Sequence, residues 1–362
     1  MDRNATRLDF DLLETLLHAG QVSPDGPAAN RVGPPKSRAG SSILRAMSIV
    51  HLEPGKGREE SDGHREVEAE FVEAVRRRSA ESLERAYGFL QAQADPWALL
   101  RAEVLCEGRP ASDLTTALVE IQEPDGSLPI GRLVAGGAAG FPPVDPEGLT
   151  SVETKIVGTL EGLLQAGDAK ILNRDWVEGA ARFYESVQSA DGAFRVAILG
   201  SAAEQAQAEI FWTGMIGGIL GRTPFSRPSL LEGAGEFIAK RFDPEAVEHD
   251  GYAALLACSH FFTNVAHDLS DEALQWCGRA LEKGFRSRHL DAVATVRVLL
   301  TCDAQAMPGA SFDVVELLSQ LLEEQAGDGG FAELSLGGPV TRTTQTFDAM
   351  LGIVRLCAAL EV

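Results

Sequence analysis

The chain has 362 residues, with 53 acidic and 32 basic side chains and a formal net charge of −21. That balance makes nucleic acid a poor partner and an anionic membrane surface a repelling one, since both are held by Lys and Arg. Five scattered cysteines, with no CxxC, argue against a disulfide framework and against a cysteine-rich zinc site.

The first 63 residues are rich in Pro, Gly, Ser and charge. They read as a mostly irregular arm with short amphipathic pieces at residues 8–17 and 42–50. The acidic start lacks the apolar run of an export signal, and the longest apolar stretch, residues 210–220, is 11 residues with three glycines. A membrane span needs roughly 20. The expected compartment is the cytoplasm.

From residue 64 to 362, apolar residues recur every three or four positions and no period-2 strand is found. This predicts an all-α domain of about twelve helices. Starts fall near His64, Ser82, Pro96, Ala111, Thr150, Arg174, Ala203, Pro228, Gly251, Asp271, His289, Phe312 and Thr343.

Three segments repeat one pattern: Gln122-Glu-Pro-Asp-Gly-Ser-Leu128, Gln188-Ser-Ala-Asp-Gly-Ala-Phe194 and Gln325-Ala-Gly-Asp-Gly-Gly-Phe331. In each, the Gly after Asp suits a turn at positive φ, Asp can bond the turn backbone, and the apolar residue re-enters the core. The Gln amide is expected to cap the carbonyls of the helix it ends. Degenerate copies are expected at residues 241–244 and 283–286.

Helix character alternates between these turns. Residues 176–188, 230–241, 272–283 and 314–325 are amphipathic; residues 156–164, 210–220, 252–262, 293–300 and 350–360 are apolar all round. An all-round apolar helix belongs inside and an amphipathic one outside. The pattern predicts an (α/α)6 toroid, a double ring of inner and outer helices.

These turns resemble the repeats of protein prenyltransferase β-subunits and class II terpene cyclases, from about Ser82 onward. The resemblance implies a double ring around an apolar, isoprenoid-binding funnel. Residues 248–252, Glu-His-Asp-Gly-Tyr, are similar to the His-Gly-Gly-Tyr that opens an inner helix in the β-subunits, so His249 matches the His that contacts prenyl diphosphate. Arg288 matches a diphosphate-holding Lys, and Arg286 lies one residue from the matching Arg. A diphosphate wants charge-assisted hydrogen bonds of this kind. Trp212 and Tyr252 would line the isoprenoid pocket. Arg297, nine residues beyond Arg288, would lie too deep to reach a diphosphate at that rim.

The sequence departs from the family at its metal and acid. Val293 stands at the zinc-binding Cys of the family's Asp-x-Cys, and Asp348 at its His. Two carboxylates without Cys or His make zinc the wrong ion and favour Mg²⁺ or no metal. The cyclase Asp-x-Asp-Asp is also missing, and Glu153 is the one carboxyl group near its place. Asp291, Asp348 and Glu153 are the candidate catalytic acids, each with a competing role as a helix N-cap or first-turn acid. The sequence-level expectation is an isoprenoid-diphosphate-binding enzyme for prenyl transfer or cyclisation. The competing expectation is a non-catalytic binding or scaffolding ring with a protein partner or a second copy.

Overall fold

The computed structural model describes residues 60–106, 108–130, 141–142, 144, 147–245, 251–304, 306–332 and 341–360, with side chains from residue 72. The arm pieces at 8–17 and 42–50, and His249, lie outside the described residues. Among those described there are twelve helices and no strand. They are α1 (Glu60–Gln93), α2 (Pro96–Leu105), α3 (Ala111–Ile121), α4 (Ser151–Asp168), α5 (Asp175–Val187), α6 (Ala202–Gly221), α7 (Pro228–Ala239), α8 (Tyr252–Asn264), α9 (Ser270–Arg286), α10 (Ala292–Thr301), α11 (Val314–Glu323) and α12 (Arg342–Ala359). No helix among the described residues is long and apolar enough to cross a membrane.

The helix starts follow capping chemistry. Asp95 accepts the N–H groups of Trp97 and Ala98 ahead of Pro96, and Thr150 and Ser201 each form a reciprocal capping box with Glu153 and Glu204. Where the sequence suggested two starts, at His64 and Ser82, one continuous helix α1 runs instead. No Gly or Pro lies between His64 and Tyr87 to break it.

Of the even-numbered helices, α4, α6, α8, α10 and α12 are buried over most of their length, while α2 buries only Ala98, Arg101 and Ala102. Residues 156–167 of α4, 211–220 of α6 and 292–299 of α10 are continuous buried runs. The odd-numbered helices α5, α7, α9 and α11 bury one face. Packing follows the same division. Helix α4 packs on α6, α6 on α8, α8 on α10, α10 on α12, and α12 on α2. The indole N–H of Trp97 in α2 donates to Gln165 of α4 at 2.8 Å. Helices α5, α7, α9 and α11 lie against α4, α6, α8 and α10, α3 against α2 and α4, and α1 against α12, α11 and α2.

The repeated turns tie this arrangement together. Gly126, Gly192 and Gly329 have φ of 89°, 86° and 89°. A Cβ on Gly192 would stand 2.0 Å from the carbonyl oxygen of Gly233 in α7. Asp125, Asp191 and Asp328 accept the backbone N–H two residues on, as expected. The Gln amides do not cap the helix they end. Each donates to the turn's own Gly carbonyl and onward to another helix. Gln122 reaches Trp176 O at 2.8 Å, Gln188 reaches Leu230 O at 2.9 Å and Gln325 reaches Ser82 O at 2.9 Å. The apolar residue's N–H then donates to a buried threonine of the following helix: Leu128 to Thr159, Phe194 to Thr213 and Phe331 to Thr346. Of the degenerate copies, Asp243 keeps an Asp turn with Glu245 N–H. Residues 283–286 instead continue α9 to its end.

Candidate functional site

The residues expected at the N-terminal ends of the even-numbered helices are mostly engaged in local structure. The Glu153 carboxylate closes the α4 capping box and also accepts the Ala197 N–H at 2.7 Å. Burial works to raise this carboxyl, but the hydrogen bonds from Thr150 and Ala197 outweigh it and hold it low. Asp291 is the N-cap of α10 and accepts the Ala294 N–H at 2.7 Å. The Glu324 carboxylate takes the Ala292 N–H beside it at 2.9 Å through both oxygens. Burial raises both of these acids.

Arg286 is half-exposed and pairs with Glu316 and Glu282. Arg288 is exposed at φ 59° and ends α9: its N–H donates to Phe285 O, and Leu290 N–H reaches back to Gly284 O. Tyr252 is buried at the start of α8, its hydroxyl donating to Ala294 O at 3.0 Å, and burial raises its phenol. Trp212 is fully buried, edge-on to Phe141 and Phe211.

Asp348, whose charge bears on the Tyr252 phenol together with that of Asp291, is paired with an arginine. It lies in the second turn of α12, 3.4 Å from Arg297 of α10. Arg297 also reaches Asp168 at the end of α4 (3.2 Å), and Asp168 takes Arg101 of α2 at 3.1 Å. Four side chains from four even-numbered helices thus form one charge-balanced, buried network. Burial raises the Asp348 carboxyl, with Arg297 pulling the other way. Burial likewise works to lower Arg297, but Asp168 and Asp348 outweigh it and raise it. The residue that spacing had set too deep for the rim is the hub of the interior.

Two members of the network, Arg101 and Asp168, line a half-open cleft of about 780 Å³ toward the C-terminal ends of α2, α4 and α12. One wall is apolar: Val104, Leu105, Leu114, Phe347, Leu351 and Val354. The other carries Gln165, Asp168, Lys170 and Arg355. Arg101 lies between them, its guanidinium 3.7 Å over the Phe347 ring and its Nε buried without a partner among the described residues. Burial lowers Arg101 despite Asp168 and Asp348.

The zinc site that the resemblance implies does not fit these residues. Val293 offers no ligand, Asp291 caps a helix and Asp348 is held by Arg297. Among the described residues no group of three or more His, Cys, Asp and Glu side chains converges to hold a metal. Sequence reading passed over Arg101, Asp168, Glu161 and Gln165. The available signal was a lone charge in an apolar helix, as with Arg297 in Ala292-Val-Ala-Thr-Val-Arg-Val-Leu-Leu300 and Glu161 in Gly158-Thr-Leu-Glu-Gly-Leu-Leu164. No protein-family model matches this sequence, and no curated protein matches it.

Proposed function

We propose that the chain is an (α/α)6 double ring that binds an amphiphilic anion, with prenyl diphosphates as the ligand class. The even-numbered helices form the inner ring and the odd-numbered ones the outer. Support for the ring comes from the succession α4, α6, α8, α10, α12 and α2, each packed on the next, and from the Trp97–Gln165 bond between α2 and α4. The observation that carries the binding reading is the cleft, which pairs an apolar wall with Arg101, Lys170 and Arg355 in a chain of net charge −21. Its volume is that of a small-ligand site. An isoprenoid tail would lie along Val104, Leu105, Leu114 and Val354, gaining about 0.8 kcal/mol per buried CH₂.

The ligand site is therefore assigned to the C-terminal ends of the inner helices, away from Arg286 and Arg288. A non-catalytic binding ring is the second reading. It is favoured by the engagement of Glu153, Asp291 and Asp348 in caps and an ion pair. The test is a thermal-shift series with geranyl, farnesyl and geranylgeranyl diphosphates and their alcohols, with and without Mg²⁺. A ligand at 100 times its Kd stabilises by about 2.7 kcal/mol. Affinity should rise with chain length, and Leu105→Glu should abolish it without unfolding the protein. No shift with any member of the series rejects the prenyl reading and leaves the scaffold.

A further inference from the structure

A second chamber of about 290 Å³ adjoins the cleft and shares Asp168, Lys170, Leu351, Arg355 and Ala358 with it. Its far side is formed by Arg222, at the end of α6, and by Asp303, just past α10. We infer that this chamber is an oxyanion site, built for a phosphoryl group, and that it takes the headgroup of the amphiphile proposed for the cleft. The second half of the inference rests on the proposed function; the first does not.

The chamber's cations outnumber the acids free to meet them. Asp168 is claimed by Arg101 and Arg297. Asp303 is 61% exposed and reaches Arg222 only at 4.0 Å. Among the described residues the Arg355 side chain makes one hydrogen bond, to the Asp168 backbone carbonyl at 3.2 Å, and the Arg222 side chain makes one, to the Thr301 carbonyl at 3.5 Å. Those carbonyls are helix C-terminal groups that carry partial negative charge, and each arginine spends one N–H on them. A guanidinium has five N–H donors. Most of the donors on both forks therefore have no partner among the described residues.

The two arginines also feel each other. Burial lowers Arg222, Asp303 and Asp168 work against that, and the charges of Arg297 and Arg355 push it down again. Lys170 adds a third cation at the mouth. Like charges held around a small void are relieved by an anion, and two planar forks match the oxygens of a phosphoryl group. The apolar wall of the cleft begins at the shared residue Leu351. A ligand with its head among Arg222, Lys170 and Arg355 would have its tail against Phe347 and Val354.

The experiment is calorimetric titration of the full chain with inorganic diphosphate, and separately with farnesol, for wild type, Arg222→Ala, Arg355→Ala and Arg222→Lys. Wild type should bind diphosphate. Each alanine variant should weaken it roughly 10-fold or more, and the lysine variant less, since it keeps the charge but loses the fork. Farnesol affinity should be unchanged in all three. If an alanine variant does not fold, Arg222→Lys and Arg355→Lys carry the comparison. Farnesol binding without diphosphate binding overturns the chamber and leaves the cleft reading intact. Diphosphate binding that the arginine variants weaken, with no binding of farnesol or of any prenyl diphosphate beyond inorganic diphosphate, upholds the chamber as a site for the free ion and rejects the prenyl reading. Equal diphosphate affinity in wild type and every variant overturns the chamber.

Discussion

Arg297 Nη1 lies 3.4 Å from Asp348 Oδ1, with the two side chains 5% and 4% exposed, and the pair joins α10 to α12 in the middle of the helical domain. Arg297 also holds Asp168, so one guanidinium neutralises two carboxylates from two further helices. Ions this deeply buried are costly to desolvate, and the network survives because each charge has a partner.

Removing one member should therefore cost more than removing a matched pair. Arg297→Ala leaves Asp348 without its ion-pair partner and Asp168 with Arg101 alone. It should destabilise by about 3–5 kcal/mol in urea unfolding. The double variant Arg297→Met, Asp348→Leu should lose less than the sum of its single changes. Additive losses would show that the two side chains do not interact.

The repeated turn makes a sharper comparison within one segment. At Gly329 φ is 89°, and an added Cβ would stand 2.3 Å from the Arg85 carbonyl oxygen of α1. At Gly327, two residues earlier, an added Cβ meets nothing within 4 Å. Gly329→Ala should cost about 3 kcal/mol or more, combining a disfavoured φ with a backbone clash. Gly327→Ala should lie within about 1 kcal/mol of wild type. Equal unfolding midpoints for the two variants would contradict the turn geometry.

The helical class was legible because its determinants are local. Apolar period, Pro and Gly punctuation and the Gln-x-x-Asp-Gly turn each act within a few residues. The destination of each Gln amide was not legible, because Trp176, Leu230 and Ser82 lie at unrelated distances along the chain. The same holds for the threonines that receive the turn, 31, 19 and 15 residues beyond Leu128, Phe194 and Phe331. For the site, the resemblance drew attention to helix N-termini, where Asp291 and Glu153 turn out to be caps. The arginine network lies deeper, with Arg101, Arg297 and Asp348 inside their helices and only Asp168 at a helix end, and it is assembled from residues as far apart as Arg101 and Asp348. Only the interior charge of Arg297 announced it.

His260 should make the protein acid-sensitive above the range of ordinary carboxylates. Its ring is fully buried, with Nδ1 2.7 Å from Thr301 O and Nε2 without a partner among the described residues. Burial, and then the charge of Arg222, hold the imidazole down at about 3, against an ordinary 6.5. A base with a lowered folded value binds fewer protons than it does unfolded. Its stabilising contribution is thus complete above pH 6.5 and is lost as pH falls toward 3. His260→Gln removes this contribution, so its urea midpoint should rise relative to that of wild type as pH falls from 6.5 to 4. An unchanged slope would show that the ring is charged or hydrated in the folded protein.

Glu161 should act with the opposite sign. It lies on α4, 3% exposed, with Oε2 buried and unpartnered among the described residues. Burial pushes its carboxyl up to about 8, and Arg101 offsets this only in part. An acid with a raised folded value holds its proton longer in the folded state than in the unfolded chain. Stability is then greatest below the ordinary 4.5 and declines as pH rises from there toward 8. Between pH 4.5 and 6.5 this decline works against the gain from His260, so wild-type stability is nearly level there and the variants expose each part. Glu161→Gln removes the ionisation while keeping the shape. It should unfold near the wild-type urea concentration at pH 4 and be the more stable protein at pH 8, by about 4 kcal/mol at most. Wild type and Glu161→Gln running parallel from pH 5 to pH 8 would mean that this carboxyl ionises normally and that a cation or water reaches it.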